Sequence, residues 1–151
     1  MIIKIVVEIT PNYNFRWKYS EELNSFVEKE CITMYSRDHF FKGIYGWVVG
    51  YGQPPQPHSD VLIITNKKAS LGEIISGKII GAFIRCDGDH KILCVEPDRE
   101  IEDFDELPED EKKMLKGIYP GKYPGDAWVG QALAIKILGN HDRSINWLCD
   151  N

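Results

Sequence analysis

Hydrophobic residues in the first two-thirds of the chain occur in short β-branched runs, a pattern typical of strands. Residues 1–10 (MIIKIVVEIT) alternate apolar with polar side chains, and residues 14–19 (NFRWKY) alternate aromatic with basic ones. Further strands are expected at residues 25–35, 44–49, 60–65, 79–84 and 91–95. The run at 60–65 (DVLIIT) is continuously apolar, which predicts a strand buried on both faces.

The segment from residue 79 to residue 97 is the centre of this arrangement. Two apolar runs flank Asp87-Gly88-Asp89, and a D-G pair between strands predicts a tight hairpin turn. Such a hairpin brings Asp87, Asp89 and Lys91 together at one rim. Two carboxylates at a strand end could bind a hard divalent cation, which prefers oxygen ligands. Aspartate and glycine are also ordinary turn residues, so the spacing leaves a purely structural role open.

Proline and glycine divide the rest of the chain. Residues 50–59 (GYGQPPQPHS) and 119–125 (YPGKYPG) predict loops, the first with polyproline character. A helix is predicted over residues 109–118, with acids in its first turn and lysines towards its end. A final helix is predicted from Asp126, as its N-cap, to residue 138. Ile145, Trp147 and Leu148 are expected to pack the tail against the core.

Strands followed by two helices predict an α+β fold, a small mixed or antiparallel β-barrel with the two C-terminal helices packed outside it. The length of 151 residues suits a single domain spanning residues 1–151. No internal repeat is visible.

Composition narrows the functional classes. The net charge of −5 and the pI of about 5.4 argue against nucleic acid or an anionic membrane as a partner. No apolar run reaches the roughly 18–20 residues of a membrane span, and the apolar start reads as a strand rather than a signal peptide. The four cysteines form no C-x-x-C pair, and Cys86 and Cys94 are expected inside apolar strands. Reduced thiols and a cytoplasmic location are therefore expected.

Several motifs resemble those of the soluble inorganic pyrophosphatases, which are built on an oligonucleotide-binding-type β-barrel. The similarity extends from about Val6 to Leu138 and is most specific between Gly81 and Pro120. There, residues 81–98 (GAFIRCDGDHKILCVEPD) resemble the family's strand pair, and residues 104–119 (FDELPEDEKKMLKGIY) resemble the segment that follows it. The stretches VVEIT, WKYS and IYGWV resemble the family motifs V-x-E-I-P, K-Y-E and N-Y-G-x-I.

The resemblance implies attack of a metal-bound hydroxide on pyrophosphate, or on another phosphorylated small molecule, with release of phosphate. It implies a divalent metal, Mg²⁺ in the first place and Mn²⁺ or Zn²⁺ as alternatives, and a homo-oligomer. The implied metal-binding residues are Glu8, Asp60, Asp87 and Asp89. The implied catalytic residues are Tyr45, Asp60 and Lys91, and the implied substrate-binding residues are Lys18, Lys29, Tyr45, Lys91, Tyr119 and Lys122.

The sequence also departs from the family pattern. Where the family has D-G-D-P-x-D-V-L, this chain has P-Q-P-H-S-D-V-L, so Pro55 and Pro57 replace two aspartates and only Asp60 remains. Proline has no side-chain ligand atom, so metal binding is expected to be weaker. Three further positions differ: Ser20 replaces the acid of K-Y-E, Lys29 the expected arginine, and Pro120, with Lys122 nearby, a lysine.

Three functions therefore stay open, two enzymatic and one of binding alone. The first is metal-dependent hydrolysis of pyrophosphate to two phosphates, weak or with an altered metal preference. The second is a catalytically inactive pyrophosphatase-like module that binds a phosphorylated ligand or a protein partner. Hydrolysis of a different phosphoanhydride is a third. His58 could add a nitrogen ligand, which suits Zn²⁺ or Mn²⁺ better than Mg²⁺, or could be an exposed loop histidine.

Overall fold

The computed structural model describes residues 1–31 and 41–140 and shows a closed five-stranded barrel. In chain order the elements are β1 (Ile2–Ile9), β2 (Phe15–Ser20), β3 (Ser25–Glu30), β4 (Gly43–Val48), β5 (Asp60–Ile64), β6 (Ile74–Ile84), β7 (Lys91–Val95), a 3₁₀ turn (Phe104–Glu106), α1 (Glu109–Ile118), β8 (Ala127–Gly130) and α2 (Gln131–Ile137). The barrel order is β1-β4-β5-β7-β6, and β6 pairs back to β1. The β5–β7 pair is parallel and the others are antiparallel, so the predicted mixed barrel is confirmed.

Two hydrophobic clusters account for this architecture. Alternate residues of β1, such as Ile5 and Val7, belong to the cluster inside the barrel, which α2 extends with Ala134 and Ile137. The second cluster lies outside the barrel, where Leu62, Ile80 and Leu93 meet Phe104, Leu115 and Ile118 of the segment containing α1. Alternate residues of β5 contribute to each cluster, so this strand is buried on both faces, as its continuous apolar run predicts.

The hairpin of β2 and β3 forms a separate two-stranded sheet beside the barrel. Its Phe26 stacks on Trp47 of β4, with ring centroids 5.3 Å apart. Trp17 of β2 stacks on the same Phe26 at 5.9 Å, so the hairpin is attached to the barrel through aromatic rings.

The predicted hairpin is present, since β6 and β7 pair antiparallel and the Gly88 backbone N–H donates to the Arg85 carbonyl oxygen at 3.0 Å, closing a turn over residues 85–88. The connection is longer than the predicted tight turn. The strand pairing ends at Phe83 opposite Lys91, and a longer loop that includes Cys86 joins β6 to β7. The backbone N–H of Arg85 donates to Nδ1 of His90 at 3.0 Å, so a side chain supplies an acceptor where a tight hairpin would use backbone. β6 also begins at Ile74, five residues before the strand expected at residues 79–84.

The predicted start of the last helix is wrong. Residues 127–130 form β8, which pairs with β6, and α2 begins only at Gln131. The Asp126 carboxylate does not cap a helix and instead accepts from the backbone N–H of Cys86 at 3.1 Å. A Cβ on Gly81 would lie 2.4 Å from the Val129 carbonyl oxygen, so this glycine permits the close approach of β8.

The other predicted elements are present or fall outside the described ranges. α1 covers residues 109–118 as predicted, and β3 covers the first part of the strand expected at 25–35. Residues 32–35 and the tail residues Ile145, Trp147 and Leu148 lie outside the described residues. Within residues 1–31 and 41–140, no helix is long and apolar enough to cross a membrane.

Candidate functional site

A cavity of about 410 Å³ lies between the β2–β3 hairpin, the rim of the barrel and the proline-rich loop. The described residues that line it include three basic side chains, Arg16, Lys18 and Lys91, and four acidic ones, Glu8, Glu21, Asp60 and Asp89. Aromatic residues and prolines form the rest of its wall. The cavity therefore joins charged groups from four separate parts of the chain, at residues 8, 16–21, 60 and 89–91.

Lys91, the first residue of β7, lies at the centre of the charged groups. It is only 5% exposed, and its Nζ donates to Asp60 Oδ2 at 2.7 Å, Asp89 Oδ1 at 3.1 Å and Tyr45 Oη at 3.3 Å. The parallel register pairs Asp60 with Lys91, which places this acid and this base side by side at the start of β5 and β7. Burial alone would lower the pKa of Lys91, but the charges of Asp60 and Asp89 outweigh it and raise the pKa.

His58 and Asp60 form a second pair. His58 Nε2 lies 3.0 Å from Asp60 Oδ1, and His58 Nδ1 lies 2.8 Å from the Gln56 carbonyl oxygen. Burial would raise the pKa of Asp60, but hydrogen bonds from His58 and Lys91 hold it well below its usual value. Burial would lower the pKa of His58, but its hydrogen bonds to Asp60 and to the Gln56 carbonyl raise it. His58 is therefore neither an exposed loop histidine nor a ring with a spare nitrogen.

Glu8 enters the cavity through a β-bulge. In the β1–β4 ladder Val7 pairs with Gly46 and Ile9 with Tyr45, so Glu8 is the extra residue, and bulges redirect side chains. Its Oε2 lies 3.6 Å from Arg16 Nη2. Burial raises the pKa of Glu8 to about 7 against the opposing charge of Arg16, because the contact is long and the carboxyl group is shielded from water.

Other residues implied by the resemblance lie elsewhere. The Asp87 side chain is 56% exposed and pairs with Arg85 at 3.3 Å. Lys29 lies on β3 opposite Arg16 and is exposed. Tyr119 stacks on Phe83 with ring centroids 5.0 Å apart, and Lys122 is exposed in the loop that follows. None of the four is among the described residues lining the cavity.

The sequence reasoning missed five lining residues: Arg16, Trp17, Tyr19, Glu21 and Pro54. Arg16 lies two residues before Lys18 on β2, so both basic side chains lie on one face of that strand, whereas Trp17 lies on the other. The alternation of aromatic and basic residues at 14–19 carried this signal. It did not show that both faces of the strand would border one cavity.

The described acidic and histidine side chains at the cavity are not arranged to bind several divalent cations. Within residues 1–31 and 41–140, no group of three or more His, Cys, Asp or Glu residues is placed to hold a metal ion. Asp60 and Asp89 each accept from Lys91, and Pro55 borders the cavity where the family signature has an acid. Mg²⁺ commonly binds through one or two carboxylates together with substrate phosphates. The described lining offers the carboxylates of Glu8, Asp60 and Asp89 for this mode of binding, in which one or two of them and the phosphate oxygens would hold the cation.

Comparison with solved structures identifies the fold. An inorganic pyrophosphatase from Ehrlichia chaffeensis aligns with a TM-score of 0.71 at 20% identity, covering 93% of this chain and 92% of that one. An inorganic pyrophosphatase from Neisseria gonorrhoeae aligns with a TM-score of 0.67 at 20% identity, covering 95% of this chain and 90% of that one. The inorganic pyrophosphatase from Helicobacter pylori aligns with a TM-score of 0.69 at 16% identity, covering 95% of this chain and 92% of that one. No family model and no curated protein sequence matches the chain. The chain thus has the fold of the soluble inorganic pyrophosphatases at low sequence identity.

Proposed function

We propose that this chain binds a phosphoanhydride together with a divalent cation and hydrolyses it, with pyrophosphate as the simplest substrate. The observation that carries the proposal is the buried Lys91, held between Asp60 and Asp89 in a cavity that also contains Arg16 and Lys18. Ammonium and guanidinium groups gathered in one cleft are typical of phosphate sites. The shared fold with inorganic pyrophosphatases supports the same ligand chemistry.

Charge balance explains why the ligand should bring a cation. The described cavity lining holds three basic and four acidic side chains, with His58 beside Asp60 as a further titratable group, so carboxylates offset most of the positive charge in the unliganded site. Asp60 and Asp89 would repel a multiply charged diphosphate, and a dication bound with the ligand would offset that repulsion. Mg²⁺ fits the oxygen ligands best, with Mn²⁺ or Zn²⁺ as alternatives.

The residues around the cavity would have separate roles in binding the phosphates and the cation. Lys91, Arg16 and Lys18 hold phosphate oxygens and neutralise charge that develops on them. Asp60, Asp89 and Glu8 are the carboxylates that would hold the cation, and Lys91 together with His58 keeps Asp60 ionised. When bound, the cation lowers the pKa of a water molecule and polarises a phosphoryl group.

A second function has its own supporting observation. Pro55 forms part of the cavity wall at one of the two positions where the family signature has the aspartates replaced here, and no metal-binding cluster is preformed among the described residues. A module that binds a phosphorylated ligand without turnover would need the basic groups but not those acids. Turnover distinguishes the two functions.

Phosphate release from pyrophosphate tests the proposal. We expect release that depends on Mg²⁺, Mn²⁺ or Zn²⁺, and Asp60→Asn should lower it by roughly 100-fold or more, as for removal of one transition-state contact. Asp98→Asn changes an exposed acid outside the cavity lining and should leave the rate unchanged. Folded wild-type protein that releases no phosphate with any of the three metals, yet binds pyrophosphate, would favour the binding module.

Returning an acid to the proline-rich loop should strengthen cation binding. Pro55 lines the cavity whereas Pro57 is not among its described lining residues. We therefore expect Pro55→Asp to lower the Kd for Mg²⁺ by about tenfold or more, measured as a Mg²⁺-dependent rise in Tm, because ligand binding to the native state stabilises it. Pro57→Asp adds the same charge to the same loop and should give a smaller shift. Equal shifts for the two variants would contradict the placement of Pro55.

A further inference from the structure

The cavity is larger and more aromatic than pyrophosphate requires. Its volume of about 410 Å³ falls in the range of roughly 300–1,000 Å³ typical of pockets for drug-sized ligands. Pyrophosphate is much smaller and has no apolar surface. Yet Trp17, Tyr19, Pro54 and Pro55 line the same cavity as Lys91. Ring faces and proline rings offer no hydrogen-bond donor to an inorganic anion.

The aromatic wall is held rigidly. Trp17 stacks on Phe26 with an interplanar angle of 14°, and Phe26 stacks on the buried Trp47 of the barrel with an angle of 24°. Tyr19 meets Phe26 edge-on, with ring centroids 5.5 Å apart. Trp17 and Tyr19 are both partly exposed, so each presents ring surface from a fixed support. A ring held in this way loses little conformational freedom when a ligand stacks on it.

Arg16, one of the basic residues lining the cavity, also has a hydrogen-bond donor that is not used within the described part of the chain. This donor is its buried Nε. A buried guanidinium donor at the edge of a cavity is costly unless a ligand accepts from it. Arg16 and Lys18 belong to the same strand as Trp17 and Tyr19. One short strand therefore brings phosphate-binding and ring-binding groups to a single cavity.

We propose that the ligand of this cavity is a nucleoside diphosphate rather than pyrophosphate alone. Its phosphates lie with Arg16, Lys18 and Lys91, and its base stacks against Trp17 or Tyr19 with the prolines nearby. Every nucleobase offers a π-face, so stacking itself does not select among bases. The proposal rests on the proposed function only for the phosphate-binding half of the site, and it requires no hydrolysis.

Calorimetric titration in the presence of Mg²⁺ tests the proposal with two ligands that resist hydrolysis of their P–C–P link. These are α,β-methylene-ADP and methylenediphosphonate, the matching analogue of pyrophosphate. We expect the nucleotide analogue to bind about tenfold more tightly or better, the size of effect that one stacked base provides. Equal affinities, or tighter binding of methylenediphosphonate, would overturn the proposal. Because neither ligand needs to turn over, failure of pyrophosphate hydrolysis leaves this comparison intact.

Substitutions of Trp17 and Tyr19 test where the nucleobase binds. Trp17→Leu and Tyr19→Leu remove one ring each, and at least one of them should weaken α,β-methylene-ADP about tenfold while leaving methylenediphosphonate unchanged. Tyr123→Leu removes an exposed aromatic residue outside the cavity lining and should change neither affinity. If both cavity variants weaken the two ligands in equal proportion, or neither weakens the nucleotide, the aromatic wall does not bind a base. The two-ligand comparison on wild-type protein decides the proposal even if one variant fails to fold.

Discussion

Alanine in place of Gly46 is expected to lower the free energy of unfolding by about 3 kcal/mol or more, at the upper end of the cost of overpacking. A Cβ at this position would lie 1.9 Å from the carbonyl oxygen of Val6, a backbone atom in the facing strand. The two strands cannot separate there without breaking the β1–β4 ladder next to the bulge at Glu8. Urea denaturation of the purified variant measures the loss.

Gly117→Ala is the matched control. Gly117 lies within α1, and a Cβ there would have no heavy atom within 4 Å. Because glycine costs a helix interior about 0.5–1 kcal/mol relative to alanine, this variant should be slightly more stable than wild type. A Gly46→Ala protein as stable as wild type would mean that β1 and β4 lie further apart than they do here.

Lys91→Met is expected to abolish the binding of pyrophosphate and to lower phosphate release by 100-fold or more, at the level of losing one strong electrostatic contact. The substitution keeps the volume and apolar stem but leaves Asp60 and Asp89 without their shared ammonium. Since breaking a buried ion pair leaves uncompensated charge, the variant should also lose about 3 kcal/mol of stability. Titration with pyrophosphate and Mg²⁺ measures the binding loss, and denaturation measures the stability.

Lys78→Met separates the loss of binding from the loss of stability. Lys78 is also buried in the barrel, where its Nζ donates to the Arg99 carbonyl oxygen at 2.6 Å and to Glu102 at 3.0 Å. It is not among the described residues that line the cavity, so its loss should cost stability and leave pyrophosphate affinity unchanged. If both lysine variants bind pyrophosphate equally well, Lys91 is a structural lysine rather than a ligand-binding one.

The residue pattern within each segment was sufficient to predict most strands of the barrel. The apolar run at 60–65 predicts a doubly buried strand, and β5 is such a strand. The distribution of acids and lysines over 109–118 predicts a helix, and α1 covers those residues. Both signals lie within a single segment: a continuous apolar run suits a strand covered on both faces, and acids and lysines at opposite ends suit the helix dipole. For the same reason the order of strands and helices was sufficient to predict the fold class.

Local pattern failed where a distant segment decides the conformation. Residues 127–130 suit a helix by their spacing, but they pair with β6 because Gly81 lets the two backbones meet. Asp126 suits a helix cap, but its carboxylate binds the backbone of Cys86, far away in the sequence. In each case a tertiary hydrogen bond outweighs a weak local preference.

By itself, the sequence determined the barrel, most of its strands, the helix after it and a set of acids and lysines suited to phosphate chemistry. Only the tertiary structure decided which of them meet. The parallel register of β5 and β7 joins Asp60 to Lys91, and the bulge in β1 turns Glu8 towards Arg16. Charges interact according to distance in space, and strand register, which no local pattern encodes, sets that distance.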